Sequence, residues 1–431
     1  MCCLPGIITD SVLGSGCLVL LVNCNMEHIL FCFRRSIVLS LVFGMALHAV
    51  AAVEVGSGDS CLLDRQCFNR VHPDLPMVAS ADPGEIITFR VLNASGVELG
   101  PGRAPSPVMS LVHPVTGPVS IRGARKGDVL AVTILDVEPV GYGQTQAAPP
   151  AGFASDMDFE PFSVVWKLSD DYATTEALPG VRIPNRGFPG IIMTLPDRKA
   201  HALVVAREQA LLDAGGIVSP PEPENASPIV LCGPSSPSAQ ECLRTFPPRE
   251  HGGNLDIRYI ASGATIYLPC HTDGCGLALG DTHYAQGDGE VSVTAIEMDA
   301  RVTVRTQIVK GKVLNRGPHY AGPAHLLDIP SSRFYATTGF PIKRRGFVPP
   351  WMAYLDADDR IAGLTNLSND IALAARNALA EMIDYLVATR GMTHEQAYVL
   401  CSVAVDLRIG QLVDAPNVGV TAILPLDIFT D

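Results

Sequence analysis

Basic residues are in short supply along this chain. Lys and Arg number 31 against 44 Asp and Glu, a formal net charge of −13 over 431 residues. Phosphate recognition wants a basic face, so the charge balance argues against nucleic acid as a partner. A small neutral or cationic ligand suits the charge better. Aromatic residues are only 6% and charged residues 17%. No P-loop, dinucleotide fingerprint or serine nucleophile elbow is present, which removes the nucleotide-dependent and serine-hydrolase chemistries those motifs serve. Glycine and proline, by contrast, are abundant at 39 and 34. That balance favours many short strands joined by tight turns over long helices.

The first fifty residues do not read as part of the fold. From Met26 the chain reaches the basic pair Arg34-Arg35, then an apolar stretch from Ser36 to Val50, then Ala49-Val50-Ala51. A basic region, a short apolar core and an Ala-x-Ala ending describe a secretory signal, cleaved near Ala51 or Ala52. The apolar core is shorter than the roughly 20 residues a membrane-spanning helix needs, so no stable insertion is expected once the signal is removed. Residues 1–52 are therefore read as a leader with a start assigned too far upstream, and residues 53–431 as one catalytic domain. The destination is the periplasm or the medium.

Cysteine usage agrees with export. After the leader come Cys61, Cys67, Cys232, Cys242, Cys270, Cys275 and Cys401, and the first six form three local couples. Such couples suit small disulfide-closed loops in an oxidising compartment. Cys401 is left over on an apolar helical stretch, as a buried free thiol. The alternative is that Cys270-His-Thr-Asp-Gly-Cys275 holds a nucleophilic thiol beside a histidine.

Strand patterns occur at Thr88–Leu92, Val129–Val137, Pro228–Leu231, Thr265–Leu268, Val291–Ile296 and Val302–Val309. Together they predict a mainly β fold, an antiparallel sandwich built from many short strands. Gln144–Gly152 and Ser219–Ser227 read as surface loops. Near the end, Ser368-Asn-Asp precedes a helical pattern through Ile371, Leu379, Met382 and Leu386 that stops at Gly391. Thr393-His-Glu-Gln396 is a capping box that opens another helix, through Leu400 and Leu407. This helical hairpin spans about 368–413, with one further strand between Pro416 and Pro425.

The window from Arg249 to Glu290 concentrates ionisable side chains among glycines and apolar residues, where burying an unpartnered carboxylate would cost several kcal/mol or more. In Gly280-Asp281-Thr-His283 the two-residue period puts Asp281 and His283 on one face of a strand. A carboxylate beside an imidazole is half of a metal site. A hydrolytic zinc centre needs about three N/O ligands and an open position for water. Asp256, Glu290 and His113 are the candidates to complete it, although Asp281 could merely orient His283. Gln286-Gly-Asp-Gly-Glu290 is a turn by composition. Glu290 is suited to general base work, and the Gln286 amide or nearby backbone N–H groups to stabilising an oxyanion. Gly252-Gly253-Asn254-Leu-Asp256 offers a flexible pair before Asn254, which can hold an amide through both ends of its side chain.

The runs Pro247-Pro-Arg-Glu-His-Gly-Gly-Asn-Leu-Asp-Ile-Arg258, Gly280-Asp-Thr-His-Tyr-Ala-Gln-Gly-Asp-Gly-Glu290 and Ala295-Ile-Glu297 resemble the acetamidase/formamidase family. So do His113-Pro-Val-Thr-Gly-Pro118, Gly123-Ala-Arg-Lys-Gly-Asp128 and Gln411-Leu-Val-Asp-Ala-Pro-Asn417, and the likeness runs from about Phe68 to the C-terminus. It implies hydrolysis of a short linear amide to a carboxylate and ammonia on a β-sandwich of the jelly-roll kind with added α/β elements, a homo-oligomer, and a divalent metal, zinc foremost. The matching positions are Asn254, Asp256, Asp281, His283, Gln286, Asp288 and Glu290. The reading is then metal ligation by Asp256, Asp281, His283 and His113, catalysis by Glu290, His283 and Gln286 through metal-activated water, and substrate binding by Asn254, Gly253 and Asp288. Competing readings are hydrolysis of a larger amide or small lactam, a cysteine-nucleophile amidase, and an exported binding protein without turnover. The segment from Leu231 to Leu243, with its cysteine couple, departs from the family pattern.

Overall fold

A computed structural model describes residues 52–102, 106–149, 151–154, 156–314, 316–355, 357–412 and 417–430. The expected leader lies outside these residues except for Ala52, as does Pro416.

The fold is organised around one long antiparallel pairing. Strand Val129–Ala147 runs against strand Glu297–Val309 over almost its whole length. Along Glu297–Val309, Val302, Val304 and Thr306 point inward while Arg301 and Arg305 are more exposed, the two-residue alternation of a half-buried strand. This strand also pairs with Ile86–Val91. Val129–Ala147 pairs on its other edge with Thr265–Pro269 near its start and Phe162–Lys167 near its end. Strand Leu277–His283, buried throughout, lies between Phe188–Met193 and Val115–Ile121, and touches Glu297–Met298 at its far end. Among the described residues, pairing is antiparallel apart from Val53–Val55 with Ile87–Phe89 and Ala79–Ala81 with Val119–Ile121. The buried core includes Phe89, Ile134, Leu268, Leu279 and Trp166, whose indole N–H donates to Thr145 Oγ1 at 2.9 Å. This is the expected mainly β, antiparallel architecture.

The helical hairpin is also present. Helix Ile371–Arg390 is capped by Asp370, whose side chain accepts from Leu373 N, and ends at Gly391 with φ +64°. Helix His394–Ala404 opens on the Thr393/Gln396 capping box. The hairpin is shorter than predicted, because Leu407 lies in strand Asp406–Gln411, which joins Gly419–Pro425 and Phe334–Gly339 in a separate three-stranded sheet. The first helix packs on that sheet, with Tyr385 stacked on Tyr335 at 3.7 Å.

Other local patterns gave way to tertiary demands. Pro228–Leu231 is not a strand: Pro228 starts the short helix Ile229–Cys232, whose β-branched Ile229 and Val230 face solvent while Cys232 is buried in a disulfide. Val291–Ile296 buries apolar side chains without pairing as a strand; Ser292 N donates to Ser402 Oγ and Ile296 N to the Ala285 carbonyl. The predicted loop from Gln144 begins instead with four residues that still pair with Phe162–Val165. Helix Arg198–Asp213, capped by Asp197, escapes sequence patterning because it buries only His201 and Val204. Disulfides join Cys61 to Cys67, Cys232 to Cys242 and Cys270 to Cys275, and Cys401 is a buried free thiol. Among the described residues no helix is long and apolar enough to cross a membrane.

Candidate active site

The last residues of strand Leu277–His283 and the first of Glu297–Val309 bring the chemistry together. His283 stands directly opposite Glu297 in the pairing register. Cross-strand neighbours meet, and Glu297 Oε2 lies 3.2 Å from His283 Nε2. Asp281 Oδ1 is 3.4 Å from the same nitrogen and Glu290 Oε1 3.8 Å. Asp256, carried in by the segment after Gly252–Asn254, places Oδ1 4.0 Å from His283 Nδ1. Asp256, Asp281 and Glu290 have φ of +47°, +52° and +44°, a left-handed backbone uncommon outside glycine. Such conformations persist where surrounding structure enforces them, and they collect at functional sites. Here they fall on three carboxylates of one cluster.

Gly190 makes room for it. A Cβ at this position would sit 2.5 Å from Asp256 Oδ1, 2.8 Å from the Asp281 carbonyl and 2.9 Å from His283 Cε1. The strand Phe188–Met193 can pass beneath the cluster only with a bare backbone there.

The orientation of His283 follows from Gln286. Gln286 Nε2 donates to the Asp256 carbonyl at 2.9 Å, which turns its Oε1 toward His283 Nδ1 at 2.8 Å. Nδ1 must therefore carry a proton and donate, leaving Nε2 to face the carboxylates. Fixing the far nitrogen in this way is how proteins orient a metal-binding imidazole.

The electrostatics show what the cluster lacks within itself. Burial pushes the Glu297 carboxyl up to about 8 and the Asp256 carboxyl up to about 7. Burial, and then the neighbouring Asp256, hold Glu290 well above the usual carboxylate range. Asp281 goes the other way: burial opposes its charge, but His113 and His283 together outweigh that. His283 is raised well above an ordinary imidazole, because Glu297 and Asp281 overcome its own burial. So many acids cannot all ionise in a dry site without a compensating charge. Asp256 Oδ1, Asp281 Oδ1, His283 Nε2 and Glu297 Oε2 are all buried without a hydrogen-bond partner. Two overlapping groups, Asp256 with Asp281 and His283, and His283 with Glu290 and Glu297, each bring their ligand atoms within 4.8 Å of one another. A mixed N/O set of this kind fits a divalent cation.

The cluster opens on a cavity of about 220 Å³ lined by Asp281, Glu290, Glu297, His113 and Asn254, with Phe246 on its wall. Asn254 Oδ1 is buried there without a partner. His113 lies beside the cluster, outside both ligand groups, with Nε2 3.9 Å from Asp281 Oδ2 and its ring edge-on to Phe246.

Other predicted residues sit elsewhere. Gln286 does not line this cavity; its amide oxygen faces His283 and its amide nitrogen donates to the Asp256 carbonyl, so it positions the imidazole. Asp288 is turned away, accepting from Tyr259 Oη at 2.9 Å and pairing with Arg258 Nε at 3.2 Å, and is thereby withdrawn from substrate binding. Gly253 contributes backbone pairing with Ile192, not a cavity surface. Glu297, read from the sequence only as part of a family motif, stands at the centre. The cysteine alternative fails: Cys270 and Cys275 are joined, and burial pushes the Cys401 thiol far up.

Supports reach the site from distant parts of the chain. Gly287 N donates to the Ser402 carbonyl, Ser402 Oγ to the Thr294 carbonyl, and Tyr398 Oη to the Val291 carbonyl. The second helix of the hairpin thus holds the loop bearing Glu290. On the opposite wall, the buried Arg244 donates to the carbonyls of Met109 and Val112, and the buried Arg70 to that of Ser110. Both side chains sit on the two-residue pairing of Arg70–Val71 with Leu243–Arg244. Arg244→Ala removes charge-assisted hydrogen bonds to buried carbonyls, and is expected to cost about 2–3 kcal/mol in urea unfolding. A loss below about 0.5 kcal/mol would remove Arg244 from the wall's support.

Comparison with known proteins places these features in a group. A model of the Acetamidase/Formamidase family matches residues 59–431. A formamidase of Methylophilus methylotrophus is 30% identical over 384 residues, covering 85% of this chain and 90% of that protein. An acetamidase of Mycolicibacterium smegmatis is 30% identical over 367 residues, covering 77% and 84%. Among solved structures, a gamma lactamase from Delftia acidovorans superposes with a TM-score of 0.78 at 28% identity, over 88% of this chain and 94% of that one.

Proposed function

The chain belongs to the acetamidase/formamidase family, and from that premise we propose that it hydrolyses a small open-chain carboxamide to a carboxylate and ammonia. The observation that carries this reading is the convergence of Asp256, Asp281, His283, Glu290 and Glu297 on one end of a cavity wide enough for such a substrate. Asp256, Asp281 and His283 would hold a divalent metal, zinc foremost, with Glu297 as a further donor across the strand pair. When bound, the ion supplies Lewis acidity, lowering the pKa of water and polarising a carbonyl.

The protein's own groups do the rest. Glu290 accepts a proton as water oxygen bonds to the amide carbon, and returns one to nitrogen as the C–N bond breaks and ammonia leaves. Asn254 Oδ1 accepts an N–H of the substrate amide, which selects for nitrogen on that side of the carbonyl. Gln286 keeps the His283 Nδ1 proton in place. Elemental analysis of purified protein, with ammonia release measured before and after chelation and after metal is restored, tests the metal. Stoichiometric metal and chelator-sensitive, restorable activity are expected. Full activity in metal-free protein would end this reading of the cluster.

Export and self-association belong to the same proposal. Local disulfides support an oxidising compartment. Exposed Phe334, Phe340 and Ile409 in and beside the three-stranded sheet support contact with a second copy.

A further inference from the structure

Arg258, just beyond Asp256 in the chain, ties the cluster to the last part of the fold. Its guanidinium meets Asp406 with both prongs, Nη1 2.6 Å from Oδ1 and Nη2 2.8 Å from Oδ2. Nε pairs with Asp288 at 3.2 Å, and Nη1 also donates to the Gln286 carbonyl at 3.1 Å. Burial opposes the charge on this side chain, but Asp406 and Asp288 outweigh it. Bidentate pairing of this kind fixes direction as well as strength. The bond to Gln286 is thereby aimed.

Two opposed bonds result. Gln286 Nε2 donates to the Asp256 carbonyl at 2.9 Å, while Arg258 donates to the Gln286 carbonyl. Each segment grips the main chain of the other with a side chain, and between them they hold the amide oxygen that faces His283 Nδ1. The far side of this turn has no slack. Gly287 N donates to the Ser402 carbonyl at 2.8 Å, and a Cβ on Gly287 would collide with the Cys401 and Val405 carbonyls. Arg258 does not line the substrate cavity, so any influence on the reaction must pass through another residue.

Resting on the amidase reading, we infer that Arg258, anchored by Asp406, is a positioning residue for the reaction. It sets the Gln286 main chain, and through the Gln286 amide it sets the ring orientation that presents His283 Nε2 to the carboxylates. Removing the outer partner of a metal-binding imidazole changes metal affinity or activity about 10–100-fold. Arg258 stands behind that partner, which puts its effect at the lower end.

Arg258→Lys separates placement from stability. Lysine keeps a positive charge between Asp288 and Asp406, but one ammonium does not reproduce a planar fork that reaches Asp406 twice and Gln286 as well. With formamide and acetamide, kcat is expected to fall about tenfold. Zinc affinity of the metal-free protein, read by competition with a chromophoric chelator, should weaken by about the same factor. KM should stay within about twofold, since Asn254 and the cavity wall are untouched. Urea unfolding on the same preparations lets rates be compared at equal folded fraction. Asp406→Asn, which keeps the size of the anchor and removes its charge, should show the same split between kcat and KM. The route is tested by adding Arg258→Lys to Gln286→Ala, where the further loss should be less than about twofold because the path to His283 is already cut. Losses that multiply in the double variant would overturn the inference, as would a folded lysine variant with wild-type kcat and zinc affinity; both leave the amidase reading intact. Wild-type protein that released no ammonia from either amide would remove the reading and the inference with it.

Discussion

Gly190→Ala is expected to cost at least a hundredfold in kcat/KM and most of the bound metal, although it adds a single methyl group to a buried strand. The new carbon would lie 2.5–2.9 Å from Asp256 Oδ1, the Asp281 carbonyl and His283 Cε1. Real side-chain carbons do not sit that close, so something must move. The Asp281 carbonyl cannot retreat cheaply, because it belongs to strand Leu277–His283, which is buried along its length and paired on both sides. The yielding groups are then the Asp256 carboxylate and the His283 ring, the atoms whose placement the chemistry needs. Overpacking costs about 1–3 kcal/mol in stability, and a shift near 1 Å at reacting groups can cost about 10²-fold in rate. Metal content, kcat/KM and urea unfolding measured on the same preparation separate the two effects. An alanine variant that kept its metal and its turnover would mean the cluster does not act as a unit.

Glu290→Gln should lower kcat by about 10²–10⁴, the usual contribution of a positioned general base, and should leave metal content unchanged. His283→Ala should lose both metal and turnover, since Nε2 is the atom on which Asp281, Glu290 and Glu297 all converge. The contrast is the informative part. Glutamine keeps the size of the Glu290 side chain and removes its ability to take a proton, whereas alanine at 283 removes the imidazole that belongs to both ligand groups. Elemental analysis alongside steady-state kinetics reads it directly. A fully active glutamine variant would show that the proton goes elsewhere.

How much of this is legible in the sequence depends on how local each cause is. The capping box at Thr393 and Gln396 and the pairing of neighbouring cysteines need only a few residues of context, and both are found where the chain predicts them. Asp281 and His283 can be read as partners because a single strand residue, Thr282, lies between them and puts both on one face. Glu297 cannot be given its place that way, since its position opposite His283 is a matter of register between strands joined by a long loop. Gly190 is one glycine among many until three atoms from other parts of the chain surround it. Gln286 and Asp288 mislead for a related reason. Residue type declares a hydrogen-bonding capacity but not whether Asp256, Arg258 or Tyr259 has already used it. Val291–Ile296 has the composition of a strand, yet its backbone bonds include those to Phe153, Tyr284, Ala285, Tyr398 and Ser402, which lie outside the strands.

The bonds from Ser402 and Tyr398 to the Glu290 loop have a consequence for the order in which this molecule matures. Contacts that close such long stretches of chain form late, because the entropy of bringing the ends together must be met first. The β framework can gather as soon as its strands are made, but the proton acceptor acquires its support only after the last helix has been synthesised and has docked. A growing polypeptide would therefore pass through a stage with most of its architecture and none of its competence.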